Sequence, residues 1–238
     1  MTFYYFSRLL QVIAFAFSLY VFDWQYFLIA VVIGWALAGF SISVILHRQI
    51  CHNAFKFRNK LVELLSYTIL VITGQSSPLS WAIIHRQHHS HTDTALDPQS
   101  HRIVGHWRTL FSWYKPNKVN PRQVVDLLAN TRVMFLHRHI DKLFLTYAAI
   151  MIAVSPTLFL YAVGVVPVVA YLFIGIINTF GHRDKQCTHG TYAANLPFAA
   201  MFWGESYHKT HHLTPGAQQL GQYDFGFYII QILKKQHE

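Results

Sequence analysis

The sequence predicts an all-α integral membrane protein, with four transmembrane helices in two hairpins and a cytosolic helical cap. Composition is the first reason: apolar residues make up 53% of the 238-residue chain and charged residues only 12%. So few charges cannot cover a soluble surface. The second reason is that the apolar residues gather into long runs, and the third is that basic residues avoid the tips of both expected hairpins.

Taken in order, the spans fall at about residues 9–22, 26–46, 143–161 and 163–181. Runs approaching ~20 residues can cross a hydrocarbon core, and in lipid only a helix satisfies its own backbone there. Asp23 lies in the gap of the first hairpin, and the second is expected to turn in the Gly164–Pro167 region. The N-terminal run reads as a span and not as a cleavable signal, because it pairs with another and no small-residue cleavage site follows it. The stretch 61–84 is apolar but interrupted by Glu63, Gly74 and Pro78, so it is expected to be interfacial or re-entrant.

Charge orients the whole. Residues 47–142 hold 13 Lys and Arg against 5 Asp and Glu, and residues 182–238 hold 5 against 4. The positive-inside rule therefore puts both termini, 47–142 and 182–238 in the cytoplasm, as one membrane domain over 1–238. Attraction to anionic headgroups accounts for the net charge of +9 without nucleic acid. Two cysteines, Cys51 and Cys187, are too few for a disulfide framework. In the cytosolic segments a turn is expected at Asn117, Asn120 and Pro121, then a helix over 122–136, and the tail 225–235 is expected to lie along the membrane surface.

The 16 histidines carry the chemistry through their placement. The first cluster is His47-Arg-Gln-Ile-Cys-His52. The second is His85-Arg-Gln-His88-His89, and the third is His208-Lys-Thr-His211-His212, both with i, i+3, i+4 spacing that shares a helix face. A neutral imidazole is a good ligand for iron, zinc or copper, and this many exceed one tetrahedral zinc and point to two metals. Asn178 and His182 sit at i, i+4 at the cytosolic end of the last span, where polar groups are functional candidates.

The order of these motifs, with Trp81 before the second box, Thr92-Asp93-Thr94-Ala-Leu-Asp97-Pro98 after it and Gly204-Glu205 opening the third, resembles the stearoyl-type Δ9 acyl desaturases, the membrane histidine-box di-iron family. The likeness covers nearly the whole chain. It implies a di-iron site on His47, His52, His85, His88, His89, His182, His208, His211 and His212, with Asn178 reaching one iron through water. The implied reaction uses dioxygen and two electrons to leave a cis double bond in a saturated acyl chain. The short chain, with no cytochrome b5-like lobe, leads us to expect electrons from a separate donor such as ferredoxin or cytochrome b5.

Asp93, Asp97 and Glu205 are candidates to orient imidazoles through their far nitrogens. Trp81 and Trp107 are candidates to line an acyl channel, with an interfacial aromatic belt as the alternative. Ile83 and Ile84 fill places where acyl-CoA members of the family carry charge, so an acyl chain on a membrane lipid competes with a CoA thioester as substrate. A membrane di-iron hydroxylase or ketolase is the alternative enzyme, and a histidine-lined metal transporter the non-catalytic one. His91, His101, His106, His137, His139, His189 and His237 lie outside the boxes and are expected at the surface.

Overall fold

The computed structural model describes residues 2–114 and 121–235, and every regular element among them is helical. Helix α1 spans Thr2–Tyr20. The next helix, α2, runs 28 residues from Trp24 to Cys51. Its start is fixed by Asp23, whose carboxylate accepts from the backbone N–H groups of Gln25 and Tyr26 at 2.9 and 3.2 Å. Such a cap satisfies N–H groups that have no partner within the helix.

Two shorter helices follow, α3 at Lys60–Ile72 and α4 at Pro78–His91, joined through a polar turn at Gly74, whose φ is +61°. After short helical turns at His101–Val104 and His106–Leu110, the chain resumes with turns at Pro121–Val124 and Val125–Leu128. Helix α5 covers Thr131–Val154, and α6 covers Pro156–Phe180. The cap is completed by α7, the six-residue His208–Leu213, and by α8, Phe225–Leu233.

The structure revises the second hairpin. The apolar residues of 143–161 are not one helix, because Ser155 is extended (φ −164°, ψ 126°) and its hydroxyl accepts from Leu158 N–H to start α6 at Pro156. A residue before proline is pushed out of the helical region, and proline itself suits a helix's first turn. The expected turn at Gly164–Pro167 is instead helix interior. A π-helical segment at Leu160–Val165 precedes Pro167 and absorbs the missing donor and the ring clash that proline brings to a helix. Residues 122–136 are likewise not one helix. Asn130 breaks the chain there, accepting from Arg132 and Val133 N–H to cap α5. Asn117 and Asn120 of the expected turn, and His237, lie outside the described residues.

Among the described residues, two helices, α2 and α6, are long and apolar enough to cross a membrane, and the apolar part of α1 is shorter, Tyr5–Tyr20. The first half of α5 carries Arg132, Arg138, Asp141 and Lys142. Its apolar half, 143–154, extends only ~18 Å at the α-helical rise. Small residues let these helices approach. A Cβ on Gly164 would strike the backbone of Ala14 and Phe15 in α1, and one on Gly34 would press Val166 and Val169. Close crossing through small residues is how helices gain packing where hydrophobicity gives no drive. The largest core cluster joins α2, α4, α5 and α6 directly beneath the histidines, through Ile45, Leu46, Ala82, Leu136 and Ile177.

Candidate metal centre

Each histidine box sits on the helix type its spacing requires. Residues five apart on an α-helix point about 140° away from one another. The first box has that spacing, and α2 is π-helical over Gly39–Cys51, so its i→i+5 ladder brings His47 and His52 to the same side with ring centroids 5.0 Å apart. The second box lies on α4 and the third on α7, both α-helical, where i, i+3 and i+4 share a face. His182 follows the end of α6.

These elements bring all nine expected imidazole ligands together, in two groups. His47, His52, His85, His89 and His211 form one, and His88, His182, His208 and His212 the other, with donor atoms in each group within 4.8 Å of one another. The Nε2 atoms converge. His211 Nε2 lies 2.9 Å from that of His47 and 2.8 Å from that of His89. In the second group His208 Nε2 lies 2.8 Å from that of His182 and 3.2 Å from that of His212.

The far nitrogens explain what those contacts are. His47 Nδ1 faces Glu205 at 2.7 Å, His88 Nδ1 faces Asp97 at 2.8 Å and His182 Nδ1 faces Asp93 at 2.9 Å. An ionised carboxylate only accepts, so each Nδ1 carries the proton and each Nε2 presents a lone pair. Lone pairs crowded at such distances repel unless a cation stands among them. His52 Nε2 is also buried with no hydrogen-bond partner. The donor set therefore fits two transition-metal ions.

Electrostatics agree. Burial, reinforced by neighbouring imidazoles, holds His85, His89, His208, His211 and His212 well below the usual histidine range, and brings His52 to about 2. These side chains are neutral and ready to ligate at ordinary pH. Burial pushes Asp97 and Glu205 up, but the contact of Asp97 with His88, and those of Glu205 with His47 and the Arg48 guanidinium, bring both below the usual carboxylate range. Asp93 is lowered too, with burial outweighed by His182, Tyr192 N–H and Ser100.

The loop after α4 acts as one anchor. Asp93 has φ +58°, and its carboxylate also accepts from Tyr192 N–H at 2.8 Å and Ser100 Oγ at 3.1 Å. Asp97 accepts from Gln99 N–H at 2.8 Å. Both aspartates are thus turn formers and imidazole partners at once. Gln99 Oε1 in turn meets His85 Nδ1 at 3.1 Å.

Residues to which sequence reasoning gave no role complete the site. Arg48, 1% exposed, donates to Trp203 carbonyl at 2.9 Å and pairs with Glu205 at 3.3 Å and Asp224 at 3.0 Å. Ser43 Oγ donates to Glu205 at 2.6 Å. Asp224 caps α8 through Phe227 N–H. Its place just before an apolar run was the available signal. Gly204 stands at φ +88° against the Asp224 carboxylate, where a Cβ has neither the backbone conformation nor the space. Arg86 of the second box ties α4 to the 121–128 segment through Asp126 at 2.7 and 2.8 Å.

The remaining candidates separate. Asn178 is buried one turn before His182, and its amide donates to Tyr114 Oη at 3.1 Å. Trp81 is buried and stacks on His85 with centroids 4.8 Å apart. Trp107 is 72% exposed and packs on Phe111, away from the histidines. Of the histidines expected at the surface, His101 is 9% exposed and stacks on His106, and His137 Nδ1 meets Ser77 Oγ at 2.8 Å.

Comparison with known proteins places these residues in a wider setting. Residues 22–220 match the family described as fatty acid desaturase. The chain is 27% identical over 228 residues to the acyl-CoA C20 Delta5-desaturase of Anemone leveillei, covering 90% of this chain and 72% of that protein. It is 27% identical to Delta-9 acyl-lipid desaturase 1 of Arabidopsis thaliana, covering 90% and 73%. It is 29% identical to that plant's Delta-9 acyl-lipid desaturase 2, covering 84% and 69%.

Proposed function

The chain belongs to the fatty acid desaturase family and is an oxidoreductase, and on that premise we propose that it introduces a cis double bond, at the Δ9 position, into a saturated acyl chain using two irons. The observation that carries this is the convergence of nine imidazoles into two groups with their Nε2 lone pairs inward. Five nitrogen donors in one group exceed the usual tetrahedral zinc set and suit iron. The ligands are His47, His52, His85, His89 and His211 for one ion and His88, His182, His208 and His212 for the other, and the family resemblance adds Asn178 through a water. The relatives named for Delta-9 acyl-lipid substrates support the position, and the one named for an acyl-CoA keeps both substrate forms open.

Bound there, iron supplies the oxygen activation that removes hydrogen from an unactivated methylene, which has no acidic proton for a side chain to take. The balance is one dioxygen, two electrons and two protons, with the two hydrogens taken from neighbouring carbons, giving two waters. An external carrier such as ferredoxin or cytochrome b5 provides the electrons.

The protein's own residues do the rest. Asp93, Asp97 and Glu205 hold the Nδ1 protons of His182, His88 and His47, fixing tautomer and ring orientation. Trp81 and the apolar cluster beneath the histidines keep water from the reacting carbons. As one desaturase domain, the chain crosses the bilayer four times, through α1, α2, α5 and α6, with the charged first half of α5 at the cytosolic boundary and both termini and the metal centre cytoplasmic. The basic charge of 47–142 supports that orientation.

Expression in a host lacking Δ9 desaturation tests the reading. The expected outcome is a new cis-monoene at Δ9 in the lipids. Unchanged lipids despite stable, iron-loaded protein overturn it, and an oxygenated acyl product turns it to a hydroxylase.

A further inference from the structure

We infer that metal reaches both ion sites through one polar mouth, in which His91 and His189 take an arriving ion and pass it inward, an inference that rests on the two-ion reading above. Of the nine converging imidazoles, six are buried, and His52, His89 and His212 are partly exposed. His89 belongs to the five-histidine group and His212 to the four-histidine group, and their rings stack with centroids 4.6 Å apart. Both line the same opening, of about 290 Å³. One opening thus touches a ligand of each group.

The other walls suit a hydrated cation. They present hydroxyls and imidazoles, from Ser90, Thr92, Thr94, Thr191, His91 and His189. Among the described residues that line it there is no hydrocarbon side chain to receive an acyl group, and no lysine, arginine or carboxylate to hold an anion. An ion with six waters occupies roughly 200 Å³ at ~30 Å³ per water, so it enters with its shell intact. Imidazole suits iron and its neighbours as a ligand, and the two outer rings offer the ion its first exchange of water for nitrogen. Neither His91 nor His189 falls within a ligand group, so they hand the ion on and do not keep it.

One carboxylate builds both sides of the mouth. His91 closes α4, and its carbonyl accepts from Thr94 N–H at 3.0 Å and from Thr94 Oγ1 at 2.7 Å, in the loop that Asp93 anchors. His189 and Gly190, with φ of +52° and +78°, form the tip of a turn. The ends of that turn, Thr188 and Thr191, exchange backbone hydrogen bonds at 2.9 and 3.1 Å. Asp93 accepts from Thr191 Oγ1 at 3.2 Å and from His182 Nδ1 at 2.9 Å. The residue that orients a ligand of the four-histidine group therefore also fixes the turn that carries His189 to the opening.

The test uses the full chain in detergent micelles, stripped of metal by chelator and mixed anaerobically with cobalt(II), whose visible absorption reports ligation. Wild type is expected to take up two ions per chain by elemental analysis. The variant combining His91→Ala with His189→Ala is expected to fill about tenfold more slowly, and to release metal to excess chelator more slowly by the same factor. Its final metal count and affinity are expected to match wild type, because a route alters both rates and a ligand alters the equilibrium. Ser90→Trp, which narrows the opening from an exposed position, is expected to slow both rates in the same way, and His139→Ala on α5 to leave them unchanged. Wild-type rates in the double variant overturn the relay, and wild-type rates in Ser90→Trp overturn the mouth; either result leaves the desaturase reading standing. A final count below two in the double variant also overturns the relay, by making these histidines ligands. Delay of only one of the two ions overturns the shared mouth. No cobalt bound by wild type sinks the two-ion reading and the inference with it.

Discussion

The two histidine groups use one residue type and are held in different ways. In the four-histidine group, His88 and His182 lean on Asp97 and Asp93, two carboxylates of a single short loop. In the five-histidine group only His47 has a carboxylate partner, Glu205, whose charge is offset by Arg48, and His85 has the neutral Gln99. Carboxylate partners raise imidazole basicity and favour a bound cation. The four-histidine group is therefore expected to hold its ion the more tightly. The five-histidine group depends on donor number and on contacts between α2, α4 and the 203–224 segment.

That contrast can be broken most directly at the ligands. His88→Ala and His211→Ala are each expected to abolish desaturation while removing different ions, so that elemental analysis finds one metal per chain in either variant. Loss of both metals from either variant would show the groups to be a single unit. Next in size, Arg48→Met leaves Glu205 and Asp224 buried without their cation, and should cost about 3–5 kcal/mol in denaturant unfolding. Its metal loss should fall first on the five-histidine group.

Asp97→Asn should weaken metal binding about 10–100-fold in a chelator competition, while Gln99→Leu, which removes a neutral acceptor, costs less. Equal losses would erase the proposed difference in charge. A graded effect is expected with pH in the metal-free protein. The folded state keeps His52, His85, His89 and His211 neutral far below the ordinary histidine range. The unfolded chain takes up those protons near pH ~6.5, so stability is fully present above that value and declines steadily as pH falls below it. Thermal melts across pH 5 to 8 read this, and bound metal should flatten the curve. The smallest effect is expected at Trp107→Ala. That side chain is 72% exposed and packs on Phe111, so activity and metal content should not change and stability should move by less than about 0.5 kcal/mol.

Local chemistry made the ligands legible. The i, i+3, i+4 spacing of His85, His88 and His89 and of His208, His211 and His212 states a shared helix face, and Asp23 before an apolar run states a helix start. The second hairpin was misread because Gly164 and Pro167 are strong turn signals by themselves, and only the π-helical segment before Pro167 allows the helix to continue. Arg48 and Gln99 were given no role in the site for a related reason. Their roles are set by partners far away in the chain or in a loop whose path no periodicity describes.

The sequence by itself determined which imidazoles gather and that helices carry them, because residue type and spacing on one helix are local quantities. Only the tertiary structure decided how nine imidazoles divide into five and four and which carboxylate serves which ring. Those outcomes depend on the crossings of α1, α2, α4 and α6, and a crossing is fixed by the packing of side chains that no single segment contains.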